Sequence, residues 1–530
     1  MFVLGLDGGS WSIIDPLIQK DLLPNLKALL QSGIHTTLES TIPPLTYPAW
    51  KAYSMGKNPG AIGQAFGLVY PSFTQQKILT SNSTCFIGDE IWDILGKHQL
   101  KSAVINFPTG EPPKEIHGIF VAGPLADKND FARPLQFQAD LKQQGWVLLP
   151  EGYITQDPKT LNSFLEVIKS RFDLAINMIK SNEYHFIHCT IYLTDSVQHF
   201  DFDGEYTTEV MRFIDQQLGR VMKYLQNDWY FFLMSDHGFK QPQAVFYLYP
   251  FLEERGYVRT KWVLDWGTFF VISGKIGLTF DRLIRLLKKL RLLGLLRKFI
   301  SPKTQHKIAR KVPGKGRGRK LEGMESKLDW KKSLVIPIFS TLYINQGNPD
   351  AIHRRKMILH ELKKELMALI NPETGKNLFT NVFFREEVYS GPFLEHAPEL
   401  ILVPSQEIAI SDVYTKGDYL KINAEIWKGV HDRFGILSIS GPEISKGGTI
   451  NPVQIYDLAP TILFLLGVPI PSDMQGKVLR EMFEPKSEIN SRKEEIVIAS
   501  EHNLSFTKDS KQDKDSEARV KQRLSDLGYL

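Results

Sequence analysis

The chain has 530 residues, enough for one large domain with insertions or two to three ordinary ones, and its 42% hydrophobic and 23% charged residues are ordinary globular values. Its 64 basic against 59 acidic residues leave a formal charge of +5, too small on this length to produce the field of a general nucleic-acid binder, so no specific nucleic-acid partner is expected. Two cysteines, Cys85 and Cys189, exclude a disulfide scaffold and a cysteine-rich zinc module and agree with a reducing compartment.

The first segment, Phe2 to Leu6, reads as a buried strand closed by Asp7-Gly8-Gly9. Met1 to Asp7 has neither the basic start nor the apolar core of a signal peptide, and no stretch approaches the roughly 20 uncharged apolar residues of a membrane span. A cytoplasmic protein is the expectation. A helix is expected over Ile18 to Leu30, a strand over Lys101 to Phe107 and a helix over Leu161 to Lys180. A strand follows over Tyr184 to Leu193, a helix over Glu205 to Leu225 and a strand over Trp229 to Met234. Strands are expected again at Leu342 to Ile344, Leu400 to Val403 and Gly435 to Ile439, with a helix over Gln454 to Leu466. This alternation predicts an α/β fold with a mostly parallel central sheet flanked by helices, whose chemistry would lie at the carboxyl ends of the strands.

Residues 274–320 break the pattern. Phe280, Leu283, Ile284, Leu287 and Leu290 alternate with Arg282, Arg285, Lys288, Lys289 and Arg291, and a Gly-rich basic run ends the segment. It is expected to be an inserted basic amphipathic cap, with contact to an anionic membrane surface through residues 276–320 as the alternative. It would divide a core of residues 1–273 and 321–485, and residues 486–530 are expected to be a charged tail, most of it a mobile extension.

Four strand ends carry residues of metal-ligand type: Asp7; Asp195 with His199 one helical turn on; Asp236 with His237 directly after an apolar run; and His431 just before another strand. Carboxylate oxygen and imidazole nitrogen suit zinc well, and manganese or iron less exclusively. Each also has a purely structural reading, Asp7 as a turn residue, Asp195 and His199 on a solvated helix start, His431 as a hydrogen-bonded structural group. Thr46, between Pro43-Pro44 and Pro48, stands at a stiff turn before an apolar segment, either an N-cap or a hydroxyl presented to a bound anion at a helix start.

Assembled, these motifs resemble the type I phosphodiesterase and nucleotide pyrophosphatase branch of the alkaline phosphatase superfamily. The resemblance rests on Leu6-Asp7-Gly8, Thr46-Tyr47-Pro48-Ala49-Trp50, Asp195 through His199, Ser235-Asp236-His237-Gly238 and Gly429-Val430-His431. Further stretches in the same order support it, among them Tyr389-Ser390-Gly391-Pro392, Ala397-Pro398-Glu399-Leu400 and Asp473-Met474-Gln475-Gly476. The match spans Phe2 to about Leu479, interrupted by the basic insertion.

The resemblance implies an alkaline-phosphatase-like fold and two divalent metal ions, zinc in typical members with manganese as the alternative. Asp7, Thr46, Asp236 and His237 would hold one ion, and Asp195, His199 and His431 the other. Thr46 would be the nucleophile, forming a covalent phospho-threonine, and the substrate a small phosphodiester, phosphate ester or nucleotide-like molecule. Two departures concern phosphate recognition: an asparagine that the family places some twenty residues after the nucleophile aligns with Gly67, and a histidine with Ile62. The rival readings are a phosphonate or phosphomonoester hydrolase, or a phosphotransferase, on the same site, and a non-catalytic membrane-associated scaffold.

Overall fold

The computed structural model describes residues 1–150, 158–261, 328–411, 417–423 and 427–504. The strands Phe2–Leu6, Ser102–Phe107, Phe186–Ile191 and Phe231–Met234 are buried along their whole length. Continuous burial requires cover on both faces, which is the environment of a parallel sheet between helical layers.

The central sheet runs in the order Ile34–Glu39, Phe434–Ser440, Phe231–Met234, Phe2–Leu6, Phe186–Ile191, Ser102–Phe107, Gly118–Ala122. Every neighbouring pair is parallel except those of Phe434–Ser440, which is antiparallel to both its neighbours. Two-residue strands extend each edge, Gly448–Thr449 and Val453–Gln454 beside Ile34–Glu39, and Ala132–Arg133 beside Gly118–Ala122. The helix Pro158–Ser181 packs on Phe186–Ile191 and on the helix Glu205–Met222, while Leu458–Leu465 packs on Thr46–Met55. The sheet and the helices covering it share one large apolar core. The expected architecture, a mostly parallel sheet flanked by helices, is the one observed.

Two helices differ from expectation. The stretch Ile18 to Leu30 is not one helix but the end of one, Trp11–Gln19, and most of another, Pro24–Ser32. Asp21 between them is left-handed, with φ 54°, and Leu23 is held out of helical geometry as the residue before proline. The helix expected over Gln454 to Leu466 starts as a 3₁₀ turn, Ile455–Asp457, and becomes α-helical only from Leu458 to Leu465.

A smaller lobe has its own core. Four antiparallel strands stand in the order Val335–Ile338, Thr341–Ile344, Leu400–Pro404, Phe379–Phe384, with the helix Arg355–Met367 against the last. Beside them lies the three-stranded sheet Ile408–Ser411, Ala244–Tyr247, Leu420–Ile422. The start of the charged tail is docked, since Ile496–Val497 pairs with Ile470–Pro471. The expected basic cap at 274–320 and the tail beyond residue 504 lie outside the described residues. Among the described residues no helix is long and apolar enough to cross a membrane.

Candidate metal centre and nucleophile

Three adjacent parallel strands deliver the acidic residues to one end of the sheet. Phe2–Leu6 lies in the middle and releases Asp7. On one side Phe231–Met234 leads through Ser235 to Asp236 and His237, and on the other Phe186–Ile191 leads into the helix Leu193–Phe200, which carries Asp195 and His199 one turn apart. The chain can turn at Gly8 because it has no side chain: φ is +69°, and a Cβ there would come within 2.4 Å of the Phe239 ring. His431 arrives from far along the sequence on the short strand Val430–Asp432, which pairs antiparallel with Gly238–Lys240 and sets His431 opposite Phe239. Thr46 is the first residue of the helix Thr46–Met55, whose N-cap is Leu45, so its hydroxyl is not consumed in capping.

The seven side chains converge. Thr46 Oγ1 lies 3.2 Å from His237 Nε2, and that nitrogen stands 3.6 Å from Asp7 Oδ1 and 3.4 Å from Asp236 Oδ2. Asp195 Oδ1 is 3.0 Å from His431 Nε2 and 3.5 Å from His199 Nε2. The His237 and His431 rings stack with centroids 3.7 Å apart. Asp7, Asp195, Asp236 and His237 are wholly buried, Thr46 and His199 nearly so, and His431 is half-buried.

The second ring nitrogen of each histidine is engaged in the same way. Nδ1 of His199 donates to the Gly429 carbonyl at 3.0 Å, that of His237 to the Gly238 carbonyl at 3.1 Å and that of His431 to the Pro44 carbonyl at 2.9 Å. A carbonyl only accepts, so each Nδ1 carries a proton and each Nε2 is the nitrogen that faces the carboxylates. Asp236 Oδ1 accepts from the Gly8 N–H at 3.1 Å and Asp7 Oδ2 from the Trp50 indole N–H at 3.0 Å. Their other oxygens, Asp7 Oδ1 and Asp236 Oδ2, receive no hydrogen bond among the described residues.

Burial, and then the charges of Asp236 and Asp195, push the Asp7 carboxyl well above the usual carboxylate range, and burial does the same to Asp236. Burial lowers His237 strongly and His199 less so, keeping both imidazoles neutral. At Asp195 burial works upward, yet His199 and His431 together hold the carboxyl below its ordinary range. Three buried carboxylates, two of them with an oxygen that accepts no hydrogen bond among the described residues, and three imidazoles with Nε2 turned inward form a donor set that divalent cations fit.

All seven residues singled out in the sequence meet here. Ligand atoms of Asp195, His199 and His431 lie within 4.8 Å of one another, and so do those of Asp7, Asp195 and His237. Asp195 therefore stands between the two groups, whereas the resemblance gave it to one ion alone. The three carbonyl partners and the Trp50–Asp7 bond were not anticipated; the only sequence signal for the latter is the four-residue spacing from Thr46 to Trp50, which puts both on one helix face. Ile62 is wholly buried in a side cluster with Met55, Ala65, Cys85 and Phe86. It packs as core.

A profile of the type I phosphodiesterase / nucleotide pyrophosphatase family matches residues 1–425. No protein of curated function matches the chain significantly. Among solved structures, phosphonoacetate hydrolase from Sinorhizobium meliloti 1021, in complex with phosphonoformate, is similar with a TM-score of 0.54 at 13% identity, over 88% of this chain and 95% of that one. Human ectonucleotide pyrophosphatase / phosphodiesterase 5 is similar with a TM-score of 0.53 at 12% identity, over 91% and 99% of the two chains. The murine counterpart, in complex with AMP, gives 0.51 at 13% identity, over 88% and 95%. At these identities the structural likeness concerns the fold.

Proposed function

The chain belongs to the type I phosphodiesterase / nucleotide pyrophosphatase family of hydrolases, and from that premise we propose that it cleaves a small phosphodiester or phosphate ester with Thr46 as nucleophile and two divalent cations as cofactors. The observation that carries the reading is the position of Thr46 Oγ1, 3.2 Å from His237 Nε2 within the Asp7, Asp236, His237 group. Asp7, Thr46, Asp236 and His237 would hold one ion, zinc by preference, and Asp195, His199 and His431 the other, with Asp195 close to both. Such ions lower the pKa of a coordinated hydroxyl and neutralise charge on phosphoryl oxygens.

The chain's own residues do the rest. The rigid helix start presents Thr46 Oγ1 in one direction, so that attack on phosphorus is in line with the departing oxygen. A phosphorus–Oγ1 bond forms as the bond to the leaving group breaks, and water then cleaves the phospho-threonine and frees Thr46. His199, His237 and His431, each held by a backbone carbonyl, keep their Nε2 atoms aimed inward throughout.

A phosphonate or monoester hydrolase on the same site is the second reading. Gly67, where the family places a phosphate-binding asparagine, offers no side chain to a diester oxygen. Comparing bis-p-nitrophenyl phosphate with p-nitrophenyl phosphate decides: faster turnover of the diester supports the first reading, and the reverse ranking the second. Thr46→Ala must retain the metals and lose turnover of both esters; full activity in that variant would sink the mechanism. A cytoplasmic location and lipid contact through residues 276–320 belong to the same proposal, and liposome sedimentation with and without that segment tests the contact.

A further inference from the structure

We propose that Trp50 is the positioning residue of the centre: its indole N–H fixes Asp7 so that one carboxylate oxygen stays available for a cation, and it ties that ligand to the helix bearing Thr46. The inference rests on the metal-dependent reading above and goes beyond it, because Trp50 is neither a ligand nor part of the chemistry.

Nε1 of Trp50 donates to Asp7 Oδ2 at 3.0 Å, and both residues are fully buried. The remaining oxygen, Oδ1, is the one facing His237 Nε2 at 3.6 Å. Asp7 therefore divides its two oxygens between an indole and the cleft, and the indole decides which oxygen goes where. Residues four apart on a helix share a face, so the Thr46–Met55 helix presents its hydroxyl and its indole to the same strand end.

The indole itself has no freedom. It packs edge-on against Tyr53, Phe107 and His188, with ring centroids 5.9, 5.9 and 5.7 Å away. His188 is anchored in turn by Tyr53 Oη at 3.1 Å and Thr190 Oγ1 at 2.8 Å. The space for the ring exists because residue 5 is glycine: a Cβ on Gly5 would lie 2.4 Å from Cη2 of Trp50. The strand that supplies Asp7 is thus cut away to admit the side chain that orients it.

A buried tryptophan usually finds some acceptor for its N–H, and a backbone carbonyl suffices for structural purposes. The half-buried Trp11 donates to the Thr36 carbonyl at 3.0 Å, and the buried Trp92 and Trp330 find no acceptor for Nε1 among the described residues. Trp50 instead spends its donor on a carboxylate of the candidate centre, where hydrogen bonds to ligands tune metal affinity.

The test is zinc binding, measured by titration calorimetry on protein stripped with chelator, for wild type, Trp50→Phe and Trp50→His. Trp50→Phe keeps an aromatic ring and loses the donor. One of the two ions should bind about 10–100-fold more weakly, the usual effect of removing a ligand's hydrogen-bond partner. The other ion should bind as in wild type, and Trp50→His, which retains a ring N–H, should recover part of the loss. Cobalt substitution adds a spectroscopic readout that a general loss of packing would not move at one site alone. Equal affinity of both ions in wild type and Trp50→Phe overturns the assignment while leaving the functional reading intact; a wild type that binds no divalent ion overturns both. If Trp50→Phe does not fold, Trp50→His carries the test, and a loss at both sites alike counts against the proposal.

Discussion

At the carboxyl ends of the central strands, Asp7 and Asp236 are fully buried, with one oxygen each receiving no hydrogen bond among the described residues. In the smaller lobe the buried Glu399 accepts from the Ile344 N–H at 2.8 Å and faces Arg355 at 3.5 Å. Asn345, also buried there, donates to the Trp330 and Ser333 carbonyls and accepts from the Gly347 N–H. Both regions remove polar groups from water, which is costly unless each finds a partner. Glu399 and Asn345 find their partners within the smaller lobe, whereas at the sheet ends two carboxylates standing side by side each keep an oxygen that accepts no hydrogen bond among the described residues. What marks the sheet ends is that such carboxylates cluster there with three imidazoles, a combination that points to chemistry rather than architecture.

The sharpest way to break the comparison is at the nucleophile. Thr46→Ala removes a hydroxyl and nothing that holds the fold, so turnover should fall by at least about 10³-fold with the bound divalent metal content unchanged. Metal analysis beside steady-state kinetics checks both halves. Asp236→Asn comes next. It should weaken one ion by about 100-fold or more, yet leave the chelator-stripped protein more stable than the wild type, because it deletes a buried carboxylate whose pKa is raised by burial. A stripped variant that melts below the stripped wild type would mean that Asp236 is a structural residue.

The site was more legible than the lobe around it. Asp7 follows its apolar run directly and Asp236 and His237 follow theirs after Ser235, so polar residues at a strand end announce themselves against the preceding period. His431 was legible only through its motif, because what brings it to His237 is a pairing with Phe239 across nearly two hundred residues. The two helices around Asp21 were fused in the reading because the apolar spacing continues across Lys20 to Leu23, and only Pro24 marks the break. The smaller lobe was visible as isolated strands at Leu342 and Leu400. Its antiparallel order depends on long-range register, which no local pattern encodes.

A third prediction concerns the packing behind the centre. Burial pushes the His188 imidazole down to about 3, from the 6.5 it has when exposed. Below pH 6.5 the unfolded chain takes up a proton there that the native protein refuses, so this contribution to stability is complete above pH 6.5 and is lost progressively as pH falls toward 3. Between pH 7 and 5 the loss is about 2 kcal/mol. His188→Gln cannot protonate and can still bond Tyr53 and Thr190, so its urea midpoint should fall less over that interval than the wild type's. Parallel pH slopes for the two proteins would show that His188 is not the group responsible.

The smallest effect is expected in the smaller lobe, at a residue that the sequence placed among the family-like stretches. Glu399→Gln keeps an oxygen to accept from the Ile344 N–H and gives up the charge that faces Arg355. Arg355 is well exposed, at 39% of its side chain, so water already screens much of that attraction. The carboxyl also sits above its ordinary range because burial disfavours its charge, and a neutral amide avoids that cost. The two effects oppose each other, and the net change in unfolding free energy should stay within about 1 kcal/mol in either direction. The Michaelis parameters and zinc content should not move at all. A change in turnover or metal content in Glu399→Gln would couple the smaller lobe to the centre and remove the contrast on which the assignment of Asp7 and Asp236 depends.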